Sequence, residues 1–119
     1  MCSSDLLAAQ GTGVPAEDAA ESAAWSAALG EDAADRPAFC LSGATGSLFA
    51  GTGGTLLSAA ALALHHQVVP PTLNFAAPAD GCQLQLARQA REAELTHVAV
   101  GSFAIGGQSA ACILRRYVP

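Results

Sequence analysis

The chain contains no lysine: its five basic residues are all arginine, set against ten acids for a formal net charge of -5. That balance argues against nucleic acid as a partner, because a phosphate backbone is held by several cations that neutralise it. Charged residues of either sign make up only 13% of the chain and aromatic residues 5%, whereas charge alone reaches about 25% in an average soluble domain. So little charge implies that part of the surface expects a partner. Cys2, Cys40, Cys82 and Cys112 occur singly, without the short spacing of a zinc site or a redox pair. They read as buried or idle thiols, and no metal is expected. Strongly apolar runs of about 20 residues are also missing. The stretch from Leu48 to Leu64 is shorter and is interrupted by Thr52, Gly53, Gly54, Thr55 and Ser58, so it reads as a buried helix rather than a membrane span. The amino terminus lacks the basic flank and apolar middle of a signal peptide, and the expected compartment is the cytoplasm.

What is present is an apolar chain of 119 residues, 51% of them hydrophobic, enough for one core and one domain. Leu6 to Ala9 reads as a buried strand feeding a loop at Gln10 to Val14. Pro15 suits the first position of a helix over Ala16 to Leu29, with Glu17, Asp18 and Glu21 near its positive end. Ala20, Ala23, Ala24, Ala27 and Ala28 recur at helical spacing as its apolar face, Trp25 is assigned to the core or a helix interface, and Gly30 stops the helix. Glu31 to Arg36 reads as an exposed loop, Ala38 to Leu41 as a short strand, and Gly43 to Gly46 as a turn. Pro70-Pro71 opens an irregular stretch to Gly81. Cys82, Leu84 and Leu86 alternate with Gln83 and Gln85 as in a half-buried strand, and Thr96 to Phe103 with Gln108 to Tyr117 reads as a hairpin. The order strand, helix, strand, helix, hairpin makes an α/β unit. His65 and His66 fall at a helix end, where the dipole favours imidazole, and His97 near a strand start; all three read as structural.

Four segments carry a resemblance, and they occur in order along nearly the whole chain. Gln10-Gly11-Thr12-Gly13-Val14-Pro15-Ala16-Glu17-Asp18-Ala19-Ala20-Glu21 resembles the His-Gly-Thr-Gly-Thr-Pro-x-x-Asp-x-x-Glu loop of β-ketoacyl synthases. Thr45-Gly46-Ser47-Leu48-Phe49-Ala50-Gly51 is similar to their Gly-His-Thr-x-x-Ala-x-Gly turn. His66-Gln67-Val68-Val69-Pro70-Pro71-Thr72-Leu73-Asn74 resembles Gly-x-x-Pro-Pro-Thr-x-Asn. Gly101-Ser102-Phe103-Ala104-Ile105-Gly106-Gly107-Gln108-Ser109-Ala110 resembles the closing Asn-Ser-Phe-Gly-Phe-Gly-Gly-x-Asn-Ala hairpin. The resemblance implies the C-terminal half of a thiolase-like fold, a mixed β-sheet with helices packed on it and a C-terminal β-hairpin.

It also implies a site, and this chain departs from it. Gln10 and Ser47 stand where the family has its two catalytic histidines, and Ser42 where it has a lysine. A neutral amide donates a hydrogen bond but exchanges no proton near pH 7. Thr12 matches a hydroxyl that contacts the phosphopantetheine arm, while its companion is Val14, which cannot donate. The backbone N–H of Ile105 matches an oxyanion-hole amide, and its side chain replaces the aromatic gate of the acyl pocket. The nucleophilic cysteine is expected outside this chain, since Cys2 sits too close to Gln10 for the strand-to-helix elbow such a nucleophile needs. The reading is a β-ketoacyl synthase-like subunit, non-catalytic in the manner of a chain-length factor. It would bind no cofactor of its own and receive the phosphopantetheine of acyl carrier protein. Its partners would be that carrier and a catalytic ketosynthase, as a heterodimer, or a second copy, as a homodimer.

Two alternatives stay open: a fragment of an active 3-oxoacyl-carrier-protein synthase, and a nucleotide-binding α/β module built on the glycines from Gly43 to Gly54. Met1-Cys2-Ser3-Ser4-Asp5-Leu6 resembles a translated sequencing-adapter tail. Residues 1–6 are therefore expected to be foreign and 7–119 to be a synthase C-terminal domain from a longer protein, with exposed helix faces and poor solubility alone.

Overall fold

The computed structural model describes residues 5–119, so Cys2 and residues 1–4 of the segment set apart above lie outside the described residues. At the centre is strand β1, Leu6–Ala8, every residue of which is fully buried. A run of apolar residues with no polar alternation suits a parallel strand covered on both faces. β1 pairs in parallel with β2 (Pro37–Phe39) on one side and with β6 (His97–Phe103) on the other. β4 (Gln85–Leu86) extends the sheet beyond β2, and β7 (Ser109–Arg115) closes the opposite edge as the antiparallel partner of β6. The order is therefore β4-β2-β1-β6-β7. A separate antiparallel pair joins β3 (Val68–Val69) to β5 (Arg91–Glu92).

Side chains alternate across the sheet as strand geometry requires. Leu6, Ala8, Phe39, Val98 and Val100 pack beneath helix α4 (Thr52–His66), against its Leu56, Ala60, Ala63 and Leu64. Leu7, Ala9, Ala38, Cys40 and Ala99 form the other core with Trp25 of helix α1 (Pro15–Leu29). Trp25 needs Gly101: a Cβ there would lie 2.8 Å from the indole. At the far end, Asp5 accepts hydrogen bonds from the N–H groups of Thr96 and His97 at 2.6 and 2.9 Å. Leu6 is thus part of the central strand, and Asp5 just before it ties it to the start of β6.

Helix α1 begins at Pro15 and ends at Gly30, whose φ of 67° suits a residue without Cβ. Its packing face is not the alanine face. Ala20, Ala23, Ala24, Ala27 and Ala28 are exposed, while Glu21, Ser22 and Trp25 are buried. A methyl group gains too little from burial to outweigh an indole with a cavity shaped for it and a carboxylate with backbone partners. The segment read as the loop Glu31 to Arg36 contains a helical turn, α2 (Asp32–Asp35), with Ala33 buried. Gly43 to Gly46 overlaps another, α3 (Ser42–Thr45). The second long helix starts later than the apolar run suggests, at Thr52, after a 3-10 turn over Phe49–Gly51, and it is buried on one side only. The strand expected from Cys82 shrinks to Gln85–Leu86, because the Gln83 N–H is taken by Ser22 Oγ at 3.0 Å.

Candidate functional site

The loop after β1 is clamped to α1 by a buried carboxylate. Glu21 Oε1 accepts the N–H of Gln10 at 2.7 Å, and Oε2 accepts that of Gly11 at 2.8 Å. The indole N–H of Trp25 lies 3.4 Å from Oε1. Burial pushes the Glu21 carboxyl above its ordinary range, while the Gly11, Gln10 and Trp25 donors pull it back and nearby Asp18 adds to the rise. Gly11 is obligatory here: its φ is 54°, and a Cβ would sit 2.5 Å from Cys40 Sγ.

Gln10 points its side chain toward the end of β6. Its Oε1 accepts the backbone N–H of Phe103 at 2.6 Å and faces Ser102 Oγ at 3.4 Å. Gly53 at the start of α4 permits this approach, since a Cβ there would lie 3.1 Å from Ser102 Oγ. Ser42 donates its hydroxyl to the Gly11 carbonyl. Asn74 Nδ2 donates to the Gly43 carbonyl at 2.8 Å, and a Cβ on Gly43 would overlap the Leu73 carbonyl, so the third resemblance segment braces the second.

Gln10, Thr12, Ser42 and Ser47 line one small cleft of ≈ 20 Å³ between the β1 loop and the start of α4, with Thr45, Thr52 and Thr55 around it. Its walls carry no titratable side chain. Thr12, Ser42, Gly46 and Ser47 also line an adjoining groove of ≈ 560 Å³, whose far wall includes Cys40, Leu73, Phe75 and Cys82. Ile105 lines neither hollow: it sits in the turn between β6 and β7, its side chain 91% exposed. The hairpin instead meets Gln10 through Ser102 Oγ and the Phe103 N–H. Sequence reasoning missed both residues, although they lay inside a quoted motif; the available signal was the need of a half-buried amide oxygen for a donor.

The chain matches the model for the β-ketoacyl synthase C-terminal domain over residues 3–76. It belongs to the β-ketoacyl synthase family. The tetracenomycin polyketide synthase ketoacyl synthase alpha subunit of Streptomyces glaucescens is 38% identical over 109 residues, covering 90% of this chain and 26% of the relative. The 3-oxoacyl-[acyl-carrier-protein] synthase 2 of Coxiella burnetii is 30% identical over 113 residues, covering 94% and 27%. Among solved structures, the ishigamide ketosynthase/chain length factor superposes with a TM-score of 0.87 at 30% identity, over 96% of this chain and 28% of that one. A type II polyketide synthase acyl-carrier protein in complex with its ketosynthase bound to the hexaketide gives 0.89 at 25% identity, again over 96% and 28%. The chain thus spans about a quarter of the length of these curated relatives. Family membership removes the dinucleotide reading, and the glycines concerned serve close contacts at Gly43 and Gly53.

No helix among the described residues is long and apolar enough to cross a membrane, and no group of three or more metal-ligating side chains forms among them. Cys40 is the inner thiol. Burial, reinforced by the charges of Glu21 and Asp18 and by Cys82, pushes it up to about 12, whereas Cys112 is exposed. Iodoacetamide at neutral pH is expected to alkylate Cys112 and spare Cys40; peptide mapping that finds Cys40 modified as fast would contradict its burial. Because the Cys40 value lies above its ordinary 9, the associated stability is present below pH 9 and is lost as pH rises toward 12.

Proposed function

We propose that this segment belongs to a non-catalytic β-ketoacyl synthase-like subunit, acting in the cytoplasm in polyketide or fatty-acid-type biosynthesis beside a catalytic ketosynthase. The observation that carries the reading is the composition of the cleft. Gln10 and Ser47, at the positions of the two family histidines, share it with Ser42, at the position of the family lysine, and no imidazole or cation lines it. Decarboxylative condensation develops negative charge that must meet preorganised donors, and losing one such donor costs about 10² to 10³ in rate. A subunit so depleted can still dock acyl carrier protein, receive its phosphopantetheine arm near Thr12 and shape the acyl tunnel of its partner. Co-purification from the native host is expected to recover a histidine-bearing synthase. A lone protein in its longest natural form that elongates malonyl carrier protein would overturn the proposal.

A second reading is that of an active condensing enzyme with an unusual site, and the names of the relatives favour it. The S. glaucescens relative is called an alpha subunit and the C. burnetii relative a synthase. The elongation assay separates the two readings directly.

A further inference from the structure

The open edge of the sheet at β7 carries none of the features that keep such an edge from pairing. At the opposite edge β4 is only Gln85–Leu86, too short to template a neighbour. β7 runs from Ser109 to Arg115 in unbroken register with β6, without a bulge, a proline or, before Arg115, a charge. Among the described residues no strand pairs with its outer side, and Ser109 to Ile113 are all exposed. The direction of its backbone groups follows from the two ends of the hairpin. The Ala104 N–H donates to the Gln108 carbonyl and the Arg116 N–H to the Thr96 carbonyl, both at 2.8 Å. Both are directly opposed pairs of the one register, so hydrogen-bonded pairs fall on every second residue between them. Ala110, Cys112 and Leu114 therefore turn N–H and C=O toward β6, whereas Ser109, Ala111, Ile113 and Arg115 turn theirs to the open side.

We propose that this edge is a self-association surface, on which β7 pairs antiparallel with β7 of a second copy about a two-fold axis through Cys112, the middle residue of the strand. In that register Ala111 bonds with Ile113 of the second copy and Ser109 with Arg115, all through outward backbone groups. Cys112 meets Cys112 and Ala110 meets Leu114 as non-bonded pairs. The edge is complementary to itself: alanine opposes leucine or isoleucine, and the arginines at 115 and 116 oppose Ser109 and Gln108 rather than each other. Opposed non-bonded residues lie about 4.5 Å apart at Cα, within the roughly 4.4–6.8 Å that a disulfide spans. Cys112 is free and exposed, so its thiol reports the register. The backbone ladder, not a disulfide, holds the copies together, and it does so whatever chemistry either copy performs.

The test uses the protein in its longest natural form with any partner that co-purifies. Sedimentation velocity across a dilution series is expected to show two copies of this subunit per particle, separating on dilution. Oxidised glutathione is expected to join them: two Cys112 thiols give one S–S bond, and their two protons and two electrons leave with the oxidant as two reduced glutathiones. Non-reducing peptide mapping locates the link. Ala111→Pro removes an outward N–H and no bond to β6, and is expected to weaken association at least about tenfold, since each copy loses a donor. Cys112→Ala is expected to keep the association and lose the link, and Ala110→Cys added to it is expected not to restore the link, because residue 110 faces Leu114 of the second copy. A single copy per particle without a Cys112 link overturns the proposal, including the case in which a co-purifying partner shields Cys112 from iodoacetamide. So does association unchanged in a folded Ala111→Pro protein, or a link that forms as fast from position 110 as from 112. Should Ala111→Pro fail to fold, the comparison of positions 110 and 112 decides.

Discussion

Histidine at positions 10 and 47 together is expected to raise decarboxylation of malonyl carrier protein by the longest natural form of the protein at least about 10²-fold. The structure supplies the reason that histidine at position 10 would work as a donor. The Phe103 N–H, now 2.6 Å from Gln10 Oε1, would face one ring nitrogen and require it to be unprotonated. The other nitrogen would then carry the proton into the cleft, which fixes the tautomer. Position 47 follows Gly46 on the exposed loop before α4 and borders the same cleft as Gln10. Carbon dioxide release measured under single-turnover conditions checks the result. No gain in a double variant that folds normally would mean that Gln10 and Ser47 do not flank the reacting carbons, and the site assignment would fail with it.

Glu21→Ala is expected to destabilise the protein by about 2–4 kcal/mol, since it leaves backbone donors of Gln10 and Gly11 without partners. Glu21→Gln should cost roughly half as much, because its amide accepts through one oxygen and sets an N–H₂ group against the second donor. A fall in the urea midpoint with unchanged slope is the readout. The pH dependence has a definite sign. The folded-state value of Glu21 is raised above 4.5, chiefly by burial, so the native state binds this proton more tightly than the unfolded chain does. Its contribution to stability is fully present below pH 4.5 and is lost as pH rises through the raised value. Glu21→Gln should flatten that part of the stability curve; an unchanged profile would show that the carboxyl titrates as if exposed.

Much of the fold was legible because its signals were local. Pro15 and Gly30 bracket α1, the apolar run Leu6-Leu7-Ala8 is the central strand, and the glycines at 106 and 107, with φ of 100° and 84°, turn β6 into β7. The failures have a common cause, in that burial was decided by contacts distant in sequence. Alanine spacing pointed to one side of α1, but Gly101 and the loop amides at 10 and 11 drew Trp25 and Glu21 inward on the other. Strands β3 and β5 left no pattern, since a pair of two-residue strands is too short to show alternation. The residues singled out from the sequence at 10, 12, 42 and 47 do line one cleft, Gln10 and Ser47 departing from their motifs and Thr12 keeping its own. The contacts of Ser102 and Phe103 with Gln10 were not legible, because a backbone N–H such as that of Phe103 leaves no trace in residue type, and which groups meet Gln10 depends on its reach across the sheet.

The wall common to the two hollows sets a rule for anything that enters either of them. Thr12, Ser42, Gly46 and Ser47 border both of them. A molecule wedged into the broad groove would press on the same residues that border the narrow cleft. A displacement of that shared wall from the roomy outer side would therefore be felt in the narrow inner space.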